Sequence, residues 1–182
     1  MKLLYDAPSK KPLSAGDEGV VTMRVWPSDL DFYPELNNGR HLTLMDLGRI
    51  DLAIRTGLLS MIRRNRWGLV VAGAGIRYRH RLMAFKKFTL RTRIVGHDGK
   101  WFYFHQSTER DGITHSEAII RAGVTSRTGI VPVHDILKAM GQTDWPPGIP
   151  DWVRSWADSE HLWPWSHPHR TTVRSSQYFQ RS

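Results

Sequence analysis

A chain of 182 residues, 40% hydrophobic and 24% charged, is long enough for one domain with a substantial core and too apolar to be disordered. Its 26 basic and 17 acidic residues leave a net charge of +9, which favours anionic partners, a nucleic acid or a phosphorylated carrier, without choosing between them. The absence of cysteine excludes disulfides, thiolate metal sites and a cysteine nucleophile.

Residues 1–18, with Pro8, Pro12 and Gly16, read as an irregular lead-in without the apolar run of an export signal, so a cytoplasmic protein is expected. Val20, Val21, Met23, Val25 and Trp26 predict a strand over Glu18 to Trp26 that stops at Pro27. Asp29 to Gly39 is a loop rich in turn residues. From His41 the period changes: Leu44, Leu47, Ile50, Ile54 and Leu58 recur every three or four residues and predict a long helix. Leu42, Met45 and Leu52 widen its apolar face, so it should be covered on more than one side. Asn37 or Asn38 suits its N-cap, Gly57 its C-terminal end, and Asp51 with Arg55 an ion pair on its polar side. The charges at Asp46, Arg49, Asp51 and Arg55 exclude a membrane span here.

After a basic turn at Arg63 to Arg66, strands are expected near Gly68 to His80, Phe88 to His97, Trp101 to Glu109 and Ile113 to Ser126. Asp98-Gly99 and Asp111-Gly112 supply hairpin turns. Val133 to Met140 predicts a short helix ended by Gly141. Beyond it, Trp145, Trp152, Trp156, Trp163 and Trp165 crowd a proline-rich stretch in which Trp152 and Trp156 form an i,i+4 pair. The expected organisation is a lead-in over 1–18, one domain over 19–141, and a Trp/Pro-rich extension with a basic tail over 142–182. One strand, one long helix and a four-strand meander make an α+β domain in which a curled antiparallel sheet of about five strands wraps the helix. Its unpaired edge predicts a homodimer.

Several familiar sites are missing. Gly73-Ala74-Gly75 lacks the third glycine and the following helix of a dinucleotide fingerprint, and reads as a bulge or close packing in a strand. No phosphate loop, serine elbow or His-rich metal pattern occurs, and nothing calls for a metal or cofactor. Arg77, Arg79 and Arg81 share one strand face; a solvated face, a dimer rim and a phosphate contact suit them in that order. No nucleic-acid-binding signature accompanies them, so nucleic acid is not the expected partner. What remains is the cluster Asp29, Asp31, Glu35, Asn37 and Asn38. A capped polar loop explains such a cluster in general. Here it opens into the N-terminus of a buried helix, where free N–H groups and the helix dipole stabilise a developing negative charge.

Asp29-Leu30-Asp31, Glu35, and Asn37-Asn38-Gly39-Arg40-His41 carry a specific resemblance, supported by Ile76 to Leu82, the turn His97 to Trp101 and the turn Glu109 to Gly112. Over roughly Val20 to Gly141 the chain resembles the thioesterase-like superfamily, particularly its 4-hydroxybenzoyl-CoA thioesterase-like branch. The resemblance implies a hotdog fold, an acyl-CoA substrate, thioester hydrolysis, and a homodimer, or a tetramer built from it, with active sites at the subunit interface. By position, Asp31 matches the nucleophile or general base, and Asn37 and Asn38 match the amides that shape the site. Glu35 stands where relatives often have histidine, and His41 where they often have tyrosine. Glu35 is therefore either a second acid/base or the mark of a non-catalytic hotdog module that binds acyl-CoA or serves as a dimerisation domain. Backbone N–H groups from Asn38 to Arg40 would form the oxyanion hole, with Gly39, Arg40, Arg77 and Arg79 contacting the substrate.

Overall fold

The computed structural model of the protein describes residues 9–142, 148–160 and 162. The chain divides into two compact units after Ile149. The first holds β1 (Gly19–Arg24), α1 (Asn38–Arg55), α2 (Leu58–Asn65), β2 (Gly68–Tyr78), β3 (Lys87–His97), β4 (Phe102–Arg110), β5 (Ile113–Ser126), β6 (Gly129–Ile130) and α3 (Val133–Ala139). The second holds α4 (Asp151–Glu160), which carries Trp152 and Trp156 one turn apart. Trp145, Trp163 and Trp165 lie outside the described residues.

The sheet is antiparallel throughout, in the order β1-β3-β4-β5-β2, and the short β6 pairs with the end of β5. It curls around α1, the α+β hotdog arrangement. Phe88, Leu90 and Thr92 of β3 point inward while Lys87, Thr89, Arg91 and Arg93 lie outside, the period-two pattern of a half-buried strand. The turn between β4 and β5 is tight because Asp111 and Gly112 both take positive φ, 52° and 76°, as a two-residue hairpin of this hand requires. The run Gly73-Ala74-Gly75 is strand, and the register of β2 against β5 shifts between Val71 and Gly73, a bulge.

The core joins Met45 and Leu52 of α1 to Leu90, Phe104, Ile120 and Val124 of the sheet. Gly48 sets the distance: a Cβ there would lie 2.6 Å from Leu90 Cδ2 and 2.7 Å from Thr92 Oγ1, so the helix rides directly on β3. Beside it Gln106, fully buried, donates to the Met45 carbonyl at 2.9 Å and to Thr92 Oγ1 at 2.8 Å. Its Oε1 accepts from Arg49, which also binds Asp46.

Four details differ from the pattern read in the sequence. The buried stripe of α1 is His41, Leu44, Met45, Gly48, Asp51 and Leu52, whereas Leu47, Ile50 and Ile54 are only half-buried. Asp51 is not on a polar side. It is fully buried and bound by Lys10 at 2.6 Å and Arg55 at 3.4 Å. And Arg63 to Asn65 are still helical, so the basic turn narrows to Arg66, whose φ of 55° ends α2; a separate bend lies at Gly57, whose φ of 79° lets the chain leave α1 and start again. Strand β1 stops two residues short of Trp26, although Val25 still bonds to the Lys86 carbonyl at 3.0 Å.

Candidate active site

The loop between β1 and α1 is built around Asp29. Its Oδ2 accepts from the Trp26 backbone at 3.0 Å, and its Oδ1 accepts from Arg40 Nε and Nη2 at 3.0 and 2.6 Å. Its carbonyl accepts from the Asn37 N–H at 2.9 Å. Asp29 is thus a buried staple that ties the loop to the start of α1, and it engages the charge of Arg40. Asp31 behaves differently. Its N–H bonds to the Glu35 carbonyl at 3.1 Å, closing the loop, while its Oδ1 is buried with no hydrogen-bond partner among the described residues. An unmatched buried carboxylate oxygen is costly, and Glu35 Oε2 in the same loop is likewise buried without a hydrogen bond among the described residues.

At the helix start Asn37 is the N-cap, its Oδ1 accepting from the Gly39 N–H at 2.8 Å. The Arg40 N–H is taken by the Asn37 carbonyl at 2.9 Å. Of the three amides expected to form an oxyanion hole, only that of Asn38 makes no hydrogen bond among the described residues. This corrects the wider hole read from the sequence.

A cleft of about 140 Å³ opens at the start of α1, lined by Glu35, Asn38, His41, Tyr78, Arg79 and Arg81 among others. It brings together three of the predicted site residues, Glu35, Asn38 and Arg79. Asp31, Asn37, Gly39, Arg40 and Arg77 lie outside its lining. Glu35 Oε2 sits 3.0 Å from Arg81 Nε, an ion pair without hydrogen-bond alignment, and Arg79 Nε sits 3.2 Å from Glu117. Arg77 is exposed. The Tyr78 hydroxyl donates to the Asn38 carbonyl at 2.9 Å, joining β2 to the helix start.

His41 is the residue whose weight the sequence conceals. It is 3% exposed, with its ring edge-on to Tyr78 at a centroid distance of 5.2 Å. Its Nδ1 lies 3.0 Å from Ser116 Oγ, which lies 2.8 Å from Thr108 Oγ1. Burial, reinforced by the nearby His115, lowers the pKa of His41 to about 4, so it is neutral at pH 7. A single histidine in a first helical turn gives no signal of this, because its partners come from strands about seventy residues away.

A second, apolar cavity of about 330 Å³ lies under the other half of α1, walled by Ile50, Ala53, Leu69, Val71, Ile94 and Phe104. Among the described residues no helix is long and apolar enough to cross a membrane.

The sequence profile of the thioesterase-like superfamily matches residues 25–157. The chain belongs to this superfamily. It is 31% identical over 137 residues to Protein THEM6 of Drosophila melanogaster, covering 74% of this chain and 69% of that one. To Protein THEM6 of Danio rerio it is 34% identical over 126 residues, covering 68% of this chain and 61% of the relative, so the chain spans less than two thirds of that protein. Among solved structures, a probable thioesterase from Bartonella henselae superposes with a TM-score of 0.57 at 21% identity, covering 64% of this chain and 97% of that one. A hypothetical protein from Staphylococcus aureus, solved in complex with CoA, superposes with a TM-score of 0.62 at 14% identity, covering 78% and 100%. At these identities the structures establish the shared hotdog fold, and the superfamily makes thioester hydrolysis the activity class at a coarse level.

Proposed function

We propose that the protein hydrolyses an acyl-coenzyme A thioester, with Asp31 as its acid/base group. The observation that carries this reading is the buried, unpartnered Oδ1 of Asp31, in the loop that leads into the start of α1. In this reading Asp31 takes a proton from water as the hydroxide adds to the thioester carbon. The negative charge that develops on the carbonyl oxygen is stabilised at the helix start, where the Asn38 N–H is free. The C–S bond then breaks, the proton passes to the departing thiolate, and the products are a carboxylic acid and coenzyme A. The apolar cavity under α1 supports a hydrocarbon chain as the acyl group. The coenzyme A complex of the Staphylococcus aureus protein supports the carrier, and Arg79 and Arg81 at the cleft, with exposed Arg77 beside them in sequence, are cations for its phosphates.

The test is a panel of aliphatic and aryl acyl-CoAs assayed with the wild type and Asp31→Asn. Turnover by the wild type that falls about a hundredfold or more in the variant is the expected result. Absence of turnover on every ester, or equal turnover by the variant, sinks the reading. The rival is a module that binds acyl-CoA without cleaving it. Its support is Glu35, which stands in the usual histidine position and is held against Arg81. Thermal stabilisation by coenzyme A with no hydrolysis would favour that rival.

A further inference from the structure

We infer that His41 is a neutral hydrogen-bond donor, with its proton on Nε2, that faces the cleft and supplies the second donor to the substrate's carbonyl oxygen. The inference rests on the hydrolase reading for its chemistry, but the proton's position follows from the buried hydroxyl chain alone. Thr108 and Ser116 face each other across β4 and β5 and are both fully buried. The Thr108 oxygen already accepts the Ser116 N–H at 3.1 Å, so its own hydrogen needs an acceptor. Among the described residues the one within reach is Ser116 Oγ, at 2.8 Å. Ser116 Oγ, receiving that hydrogen, turns its own toward His41 Nδ1 at 3.0 Å. The reverse polarity would strand the Thr108 hydrogen in a fully buried site, a loss comparable to a missing hydrogen bond. Nδ1 is therefore the acceptor, and a neutral ring carries its proton on Nε2.

That Nε2–H makes no hydrogen bond among the described residues, and His41 lines the same cleft as Asn38. The pairing answers a deficit in the helix start. Capping and the first turn occupy the amides of Gly39 and Arg40, which leaves the Asn38 N–H as the backbone donor there without a partner among the described residues. Two donors are the usual complement of an oxyanion hole. When water adds and Asp31 takes its proton, the carbonyl oxygen becomes anionic between the Asn38 N–H and the His41 Nε2–H, and no proton leaves His41. The roles are then divided: Asp31 moves the proton, and His41 holds the charge.

Nitrogen-15 labelling of histidine and long-range proton–nitrogen correlation at pH 7 read the proton's position, with His41 assigned from the spectrum of His41→Gln. A protonated Nε2 and an unprotonated Nδ1 are expected, and Ser116→Ala, which removes the hydrogen aimed at Nδ1, should mix the two tautomers. Adding an acyl-CoA analogue with a methylene between carbonyl and sulfur, a ketone that cannot be hydrolysed, should shift the His41 Nε2–H resonance. In turnover, His41→Phe should lose about a hundredfold in kcat with KM within about threefold, and His41→Gln, which keeps an N–H, should recover about tenfold of that loss. A proton on Nδ1, an Nε2–H unmoved by the bound ketone, or an unchanged kcat in His41→Phe overturns the inference. A wild type that binds the ketone through Nε2–H but cleaves no thioester would remove the hydrolase reading and leave the donor standing.

Discussion

Two residues of one short motif, Asp29 and Asp31, look alike in the sequence and are opposites in the fold. Asp29 is buried among three backbone and guanidinium partners, while Asp31 keeps a buried oxygen without one. Asp31→Asn should therefore hold or raise the melting temperature while turnover falls, since it replaces an unmatched carboxylate with a neutral amide. His41 sets an acid limit on stability. In the unfolded chain it takes a proton near pH 6.5, but in the folded one only near 4. Between those values the folded state holds fewer protons, so acidification favours unfolding. The penalty is absent above pH 6.5 and complete below about 4, where it amounts to about 3 kcal/mol. Burial also lowers the pKa of His97 and His105, but those remain in any variant of His41. Urea midpoints at pH 7 and pH 4 should show His41→Gln losing about 3 kcal/mol less than the wild type. Equal losses would mean that His41 takes up its proton as readily in the fold as in the unfolded chain. The carboxylates and amides of this loop were legible in the sequence because they fall within ten residues, although only Glu35 and Asn38 among them line the cleft. The histidine was not, because its meaning depends on two hydroxyls that only the β4–β5 register brings to it.

Helix α1 was legible as a helix and misread as to its face. Counting apolar residues put Leu47, Ile50 and Ile54 at the centre of the stripe, yet the residues that pack innermost include His41, Gly48 and Asp51. Hydrophobic periodicity counts side-chain transfer energy, and these three are buried for other reasons: a hydroxyl chain, a close approach to β3 and an ion-pair cluster. The strands fared better, since alternation in β3 and the Asp-Gly turn between β4 and β5 are local signals. Gly48→Ala tests the close approach. Alanine favours a helix by about 1 kcal/mol over glycine. Its Cβ, however, would meet Leu90 and Thr92 well inside contact distance, and overpacking of that kind costs about 1–3 kcal/mol. The variant should be destabilised on balance in urea unfolding; a more stable Gly48→Ala would show that α1 and β3 have room between them. Asp51→Ala should cost more, about 3–5 kcal/mol, because it leaves the largely buried Arg55 guanidinium without its carboxylate.

At the scale of the whole molecule the open question is what covers β2. It pairs with β5 on one side and, among the described residues, ends the sheet on the other, so eleven residues of backbone run along an edge. Natural edges are blunted by charge, proline or brevity; this one carries charge only at Arg77, near its end, and presents exposed Leu69 and Val71 at its start. A second copy of the chain, added antiparallel at β2, would satisfy those backbone groups and cover both side chains. It would also close off the apolar cavity, since Leu69 and Val71 form part of its wall. The same edge ends at Tyr78, which bonds to the start of α1, so association would reach the candidate site. The chain should run as a dimer of twice 21.0 kDa in light scattering. Val71→Lys, placing a charge on the edge, should shift it to monomer and lower acyl-CoA turnover together, while circular dichroism stays unchanged. A wild type that is monomeric at micromolar concentration would leave β2 as a true free edge. A monomeric Val71→Lys with full turnover would show that each copy completes its own site.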